Sequence, residues 1–450
     1  MVPAGNVVKS SLPARTHLYG STPVTARRSV PTHFTFPAGA GILPLPTMRS
    51  NLLRIVAFLS FLALGLPDGM LGVAWPSISA TFRIPLGSLG VLMAGFTVGY
   101  VVTTALIGTL IGAIGYGAVL IGSVLSIAAG GLVLALTPEF GLAVVATVFM
   151  GIGSGLLDGG LNAYGAAFFR PRDLNWLHAF YGVGATIGPA IMTPMIIAGP
   201  GWRGGYVVLA GVASVVLLLF FVTRRSWDAG TSGSNLSAQP EGAGAAEGAG
   251  GLTGDSRGTP DLSSGRLRIV TTGSVAIFFL YTGMEVVAGQ WAFSLFTLER
   301  GIGAARAGTW VGFYWAALTA GRIIFGWVSE RIRVTTILRG ALAGVALGML
   351  LLLPSPVPQA APVGLAMMGF FLAPVFPLLI GETPRRVGAY RANHLIGFQI
   401  AAANIGAVSL VAAVGGAVEG IGLEVVPWAL LITLVLFVMI HEALHSLTRD

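Results

Sequence analysis

Three carboxylates stand inside stretches apolar enough to lie in a bilayer: Asp68 in LGLPDGMLGVAW, Asp158 in LLDGGLNAYG and Glu285 in LYTGMEVVAGQW. An acid in hydrocarbon costs at least ~2.5 kcal/mol on insertion scales, so such residues face a bundle interior or a wet cavity and mark a route for ions or solutes. Screened from bulk water, a carboxyl titrates nearer neutral pH than on a surface, which suits it to carry a proton. Asp158 and Asn162 are one helical turn apart, so they present a carboxylate and an amide to the same wall. That pairing accepts from and donates to hydroxyl groups.

Other residues are placed to touch a solute. Trp75, seven positions beyond Asp68, returns to nearly the same face, where it stacks on a ligand ring or anchors the helix at the membrane surface. Gln290 and Trp291 follow Glu285 by five and six positions, which is not one helical face. All three reach a single ligand only if the helix breaks, as Gly283 and Gly289 permit. Otherwise Glu285 titrates or tunes the cavity while Gln290 and Trp291 touch solute higher up, or Trp291 is a belt aromatic. Tyr314, Trp315, Gln399 and Asn404 bring aromatic and amide groups from further along the chain; Gln399 and Asn404, five apart, equally suit bridges between helices. His178 reads as structural rather than as a proton relay. Arg322, four positions before Gly326, reads as a snorkelling cation or a gate partner.

The elements that position these groups follow from composition. Only 9% of the 450 residues are charged and 54% are hydrophobic, with a mean hydropathy of +0.84, whereas a soluble chain carries roughly a quarter charged residues. The apolar runs are continuous and reach the ~20 residues that a spanning helix needs. They predict an all-α membrane protein with twelve spans, near 52–79, 86–113, 117–137, 140–169, 174–199 and 203–223, then 267–296, 306–329, 334–354, 361–382, 394–418 and 424–446. Residues 1–49 are expected to form a disordered tail, with Met48 as an alternative start to Met1. A six-helix half over 50–223, a Gly/Ser/Ala-rich flexible linker over 224–266, a second half over 267–446 and a short tail over 447–450 complete the organisation. Of 25 Lys and Arg, 20 fall on the side of the N-terminus, which places both termini in the cytoplasm of a cell-membrane protein.

The two halves repeat. Asp68 and Glu285 are 217 positions apart, and that offset or one more also relates Gly95–Phe96 to Gly312–Phe313, Gly108 to Gly326, Asn175 to Asn393, and Phe180, Ile187 and Gly188 to Phe398, Ile405 and Gly406. Parallel six-helix repeats with a site at mid-depth between them describe a transporter architecture.

On these residues the chain resembles the major facilitator superfamily over nearly all of 50–446. The segment GWVSERIRVTTIL is similar to the superfamily's signature loop, with Gly326, Glu330, Arg331 and Arg333 at its gating positions. The first-half copy, GTLIGAIGYGAVL, keeps Gly108 and Gly115 but has Gly112 and Ala113 in place of the acid and the base. Asp68, LLDGGLNAYG, LHAFYGVGATIGP and GMEVVAGQW look like the fucose permease and related hexose:proton symporters. The resemblance implies proton-coupled sugar uptake, with Asp68 and Asp158 as coupling and sugar-binding carboxylates; Glu285 is the third acid available for coupling.

Several classes are set aside. The absence of cysteine excludes disulfides and thiol chemistry, and neither a phosphate-binding loop nor metal-ligand spacing is present. The net charge of +8 is not gathered on a soluble domain, which argues against nucleic acid. A monomeric, non-enzymatic carrier without cofactor or metal is expected, its partners a small solute, a sugar by the resemblance, protons and the bilayer. The alternative is a proton-antiport exporter of drugs or metabolites with the same fold and a more apolar cavity.

Overall fold

The computed structural model describes residues 47–229, 264–355, 357 and 359–448. Residues 1–46 of the expected N-terminal tail, 230–263 of the expected linker and 449–450 of the expected C-terminal tail lie outside the described residues, and 47–49 belong to the first helix. Among the described residues there is no strand, and eleven helical stretches are long and apolar enough to cross a membrane. The helices are α1 (Thr47–Phe82), α2 (Leu89–Leu136), α3 (Phe140–Phe168), α4 (Pro171–Ala198), α5 (Gly201–Asp228), α6 (Ser264–Ser294, continued by a π-helical turn to Glu299), α7 (Ala304–Val328), α8 (Val334–Leu352), α9 (Ala360–Leu372), α10 (Val375–Val387), α11 (Ala389–Ile421) and α12 (Val425–Leu447).

α2 supplies two crossings. At 48 residues it is far too long for one pass, and at Gly115 the backbone takes φ 81° and ψ 164°, a conformation that glycine adopts at no steric cost. The contacts of α3 show that the chain turns back there. Along the first arm, Gly95 meets Val144, Gly99 meets Ile152 and Ile107 meets Gly159, a parallel course; along the second, Gly130 meets Ala146, Ser123 meets Gly153 and Leu120 meets Gly160, an antiparallel one. α9 and α10 together make one crossing, broken at Pro374, which opens α10. The twelve crossings are thus two sets of six, α1–α5 and α6–α12, and both ends of the described chain lie on one face, called here the terminal face.

Element ends differ from the expected ones where side chains hold on. α5 runs through Asp228, into the stretch read as linker, because Trp227 is buried against Tyr164 and Phe220 and the Asp228 carboxylate accepts a 2.9 Å hydrogen bond from the Gly117 N–H. A carboxylate therefore does reach the α2 reversal, from α5 rather than from the loop itself.

Small residues set the seams. A Cβ on Gly184 of α4 would collide with the Leu62 carbonyl of α1, and one on Gly406 of α11 with the Phe279 carbonyl of α6. Such close backbone approach is how helices associate where burial of apolar surface gives no drive. The halves meet along α1 with α6, α4 with α7, and α2 with α11. The close approaches across them, Gly72 to Gln290, Gly87 to Gly415, Gly90 to Ala412, Gly182 to Thr319 and Gly308 to Thr193, run from mid-depth to the face opposite the termini. Toward the terminal face Gly326 is exposed, with nothing near its Cβ position, and His178 is exposed.

Candidate functional site

Each of the three acids sits at mid-depth, half-buried, and each is met by a tyrosine hydroxyl. Tyr181 of α4 donates to the Asp68 Oδ2 of α1. Tyr100 of α2 donates to the Asp158 Oδ2 of α3 at 2.5 Å, while the Asn162 amide donates to Oδ1 at 2.9 Å. Tyr281 donates to the Glu285 Oε2 one turn along α6. The carboxylates face neighbouring helices, not lipid, and Asp68 and Glu285 lie within each other's electrostatic reach across the halves.

The partners of the acids are not equivalent. The Arg322 guanidinium of α7 stands 3.2 Å from the Glu285 Oε1, the side chains 37% and 12% exposed. Arg322 thus turns inward to the acid rather than snorkelling to the surface, and its side chain stays partly exposed. Among the described residues Asp68 and Asp158 make no ion pair; neutral donors hold them. Glu285 is matched by a cation, whereas Asp68 and Asp158 are met by hydroxyl and amide donors.

Two further bonds tie the site together. The Gln290 amide donates to the Asp68 backbone carbonyl at 3.0 Å, linking α6 to α1 across the halves. The Tyr314 hydroxyl donates to the Glu285 carbonyl at 2.7 Å.

Several expected solute contacts are placed otherwise. α6 is unbroken through Gly283 and Gly289, so Glu285, Gln290 and Trp291 do not converge. Trp291 is fully buried and packs against the Gly415 region of α11. Trp75 is also fully buried and its indole donates to the Leu86 carbonyl at 2.8 Å, closing the end of α1. Gln399 is buried and exchanges 3.1 Å hydrogen bonds with Thr383, bridging α11 to α10. The Asn404 amide donates to the Ile400 carbonyl of its own helix. His178 stands edge-on to Phe61 at 5.5 Å.

Tyr100, Tyr181 and Tyr281 were not singled out by sequence reasoning. Tyr281 was accessible, since it precedes Glu285 by one turn. Tyr181 and Tyr100 meet their acids from other helices, 113 and 58 positions away, and carry no local signal.

A model of the Major Facilitator Superfamily matches residues 56–411. The chain belongs to the major facilitator superfamily. No curated protein sequence matches it. Its structure is similar to the crystal structure of a mutant of the nucleoside transporter NupG, with a TM-score of 0.67 and 13% sequence identity over 88% of this chain and 99% of that one. At that identity the likeness is one of fold. A superfamily member of this design holds a small-molecule solute at mid-depth between its halves, which is where the acid–tyrosine pairs stand. The segment similar to the superfamily's signature loop lies between α7 and α8 on the terminal face. Glu330 is exposed there, and the Arg331 guanidinium stacks 3.6 Å from the centre of the Trp327 ring.

Proposed function

We propose that this chain carries a small polar solute, a sugar by the chemistry of its site, across the cell membrane by proton-coupled alternating access. It acts as a monomer with both termini in the cytoplasm. The observation that carries the reading is the division among the deep acids: Asp68 and Asp158 are held by neutral donors, while Glu285 is matched by Arg322. Two acids free of a permanent counter-charge are the proton carriers, and the Glu285–Arg322 pair keeps the second half neutral throughout the cycle. This narrows the coupling role to two of the three acids named from the sequence.

The mechanism follows from the geometry. The halves are closed from mid-depth to the face opposite the termini and open toward the terminal face, so solute exchanges on the cytoplasmic side in this state. Protonation of Asp68 and Asp158 removes two negative charges from the site, which lowers the cost of drying the cavity as the halves rock. Asn162, together with the acids and the Tyr100 and Tyr181 hydroxyls, offers the mixed donors and acceptors that a polyol requires, and Arg322 borders the same space.

The test is transport in proteoliposomes. Uptake of a hexose should alkalinise the external medium, and a panel extended to nucleosides and cationic dyes separates the solute classes. Proton efflux driven by a dye, with no response to any sugar or nucleoside, would favour the exporter reading instead.

A further inference from the structure

Two grooves open at the terminal face, one in each half, and they are related by the internal repeat. The first, of about 540 Å³, lies between α1 and α4; the second, of about 410 Å³, lies between α6 and α11. Six wall positions correspond, while Asn51 and Arg172 of the first groove and Leu395 of the second have no counterpart in the other lining. Arg54, Ile55 and Phe58 match Thr271, Thr272 and Val275 at an offset of 217, and Asp173, Trp176 and Phe180 match Arg391, His394 and Phe398 at 218.

Neither groove belongs to the solute site. On α4, Gly182 faces α7 through Thr319, and Phe180 lies about 200° round the helix from it at ~100° per residue. The floor of the first groove is apolar: Phe58 and Phe180 stack with centroids 5.1 Å apart, and Trp176 is 50% exposed. In the second, Phe398 is 67% exposed. Each groove changes character at its rim. Arg54 and Arg172 border the first, with Asp173 drawn to Arg54 at 3.5 Å, so one positive charge is left over. Arg391 and His394 border the second, where the position matching Asp173 is itself the arginine. Asp68 marks mid-depth on α1, and Arg54 is fourteen residues nearer the terminal face, ~21 Å at 1.5 Å per residue. That exceeds half of a ~30 Å hydrocarbon core, so the rims stand at headgroup level and the aromatic floors lie along the acyl chains.

We infer that the paired α1–α4 and α6–α11 grooves are binding sites for anionic phospholipid of the leaflet at the terminal face. The acyl chain lies on the aromatic floor and the phosphate is held at the basic rim by Arg172 in one half and Arg391 in the other. Basic pockets between spanning helices recognise anionic headgroups in this way.

Native mass spectrometry of the purified full chain with dioleoyl-phosphatidylglycerol or dioleoyl-phosphatidylcholine tests this. Two phosphatidylglycerol molecules should be retained per chain, each about fivefold more tightly than phosphatidylcholine, the effect of one arginine at an anionic surface. Arg172→Gln should remove the preference at one site, Arg391→Gln at the other, and the double variant at both. These exposed substitutions leave the helix seams intact, and an unchanged melting temperature in phosphatidylcholine nanodiscs checks that. Equal retention of the two lipids by the unaltered chain, or an undiminished preference in the double variant, would overturn the inference.

Discussion

At the scale of single residues, an acid is defined by its partners. Asp68→Asn and Asp158→Asn keep a hydrogen-bonding group beside Tyr181 and Tyr100 and remove the titrating one. Concentrative uptake should fall at least about tenfold in either variant, a loss of ~1.4 kcal/mol of coupling, while exchange of solute across the membrane without a proton gradient persists. Loss of both activities together would instead mark the two acids as binding groups alone. The Glu285–Arg322 pair makes the opposite prediction. Arg322→Met leaves a deep carboxylate unmatched and should lower the melting temperature, and adding Glu285→Gln should recover much of the loss. Removing one member of a buried pair is costly chiefly because of the charge left behind. Additive losses in the double variant would show that the pair does not interact.

The acids themselves were legible in the sequence because charge is rare in an apolar run, and Asp158 with Asn162 because one turn separates them. Their tyrosine partners were legible only for Tyr281. Trp75, Trp291 and Gln399 each carried a solute contact and a structural role as alternatives, for a physical reason. A polar or aromatic side chain on a spanning helix serves equally to line a cavity or to seal a helix contact, and only the neighbouring helix decides which.

At the scale of elements, the spans followed from apolar length, and their ends moved where a side chain found an anchor, as Trp227 and Asp228 do for α5. The reversal inside α2 was expected from the length of the run and lies within residues that remain helical on both sides of Gly115. The α1–α4 seam gives a test of how these elements place the site. Gly184→Ala should destabilise the chain, because the added methyl group meets the Leu62 backbone, and should weaken uptake by displacing Tyr181 from Asp68. Gly326→Ala, whose methyl group meets nothing, should leave the melting temperature unchanged. A stable Gly184→Ala variant with full uptake would show that α1 and α4 part more easily than their contacts indicate.

At the scale of the whole molecule, the duplication read from the 217-residue offset is visible in two corresponding grooves and in two seams, where the Leu62 carbonyl meets Gly184 and its counterpart, the Phe279 carbonyl, meets Gly406, one turn beyond the position matching Gly184. The arrangement in which the halves close on one side was not legible, since both states of a rocking carrier share one sequence. The chain has no cysteine, so a disulfide introduced between the halves acts without background. Thr193→Cys with Gly308→Cys joins α4 to α7 where the Cβ positions are 2.9 Å apart, shorter than the ~3.5–4.5 Å span of a disulfide, so the two helices part by about an ångström to accept it. Oxidation should arrest transport and reduction should restore it; uninterrupted transport by the oxidised variant would show that this seam never opens.

The bond from Asp228 to Gly117 has a bearing on how the protein is made. It ties the hairpin between the second and third crossings to the last turn of the sixth, 111 positions later. During synthesis that hairpin enters the membrane long before its clasp exists, and the clasp arrives only as the ribosome finishes the first lobe. Completion of one lobe thereby closes a contact within the lobe itself, with no residue of its twin involved.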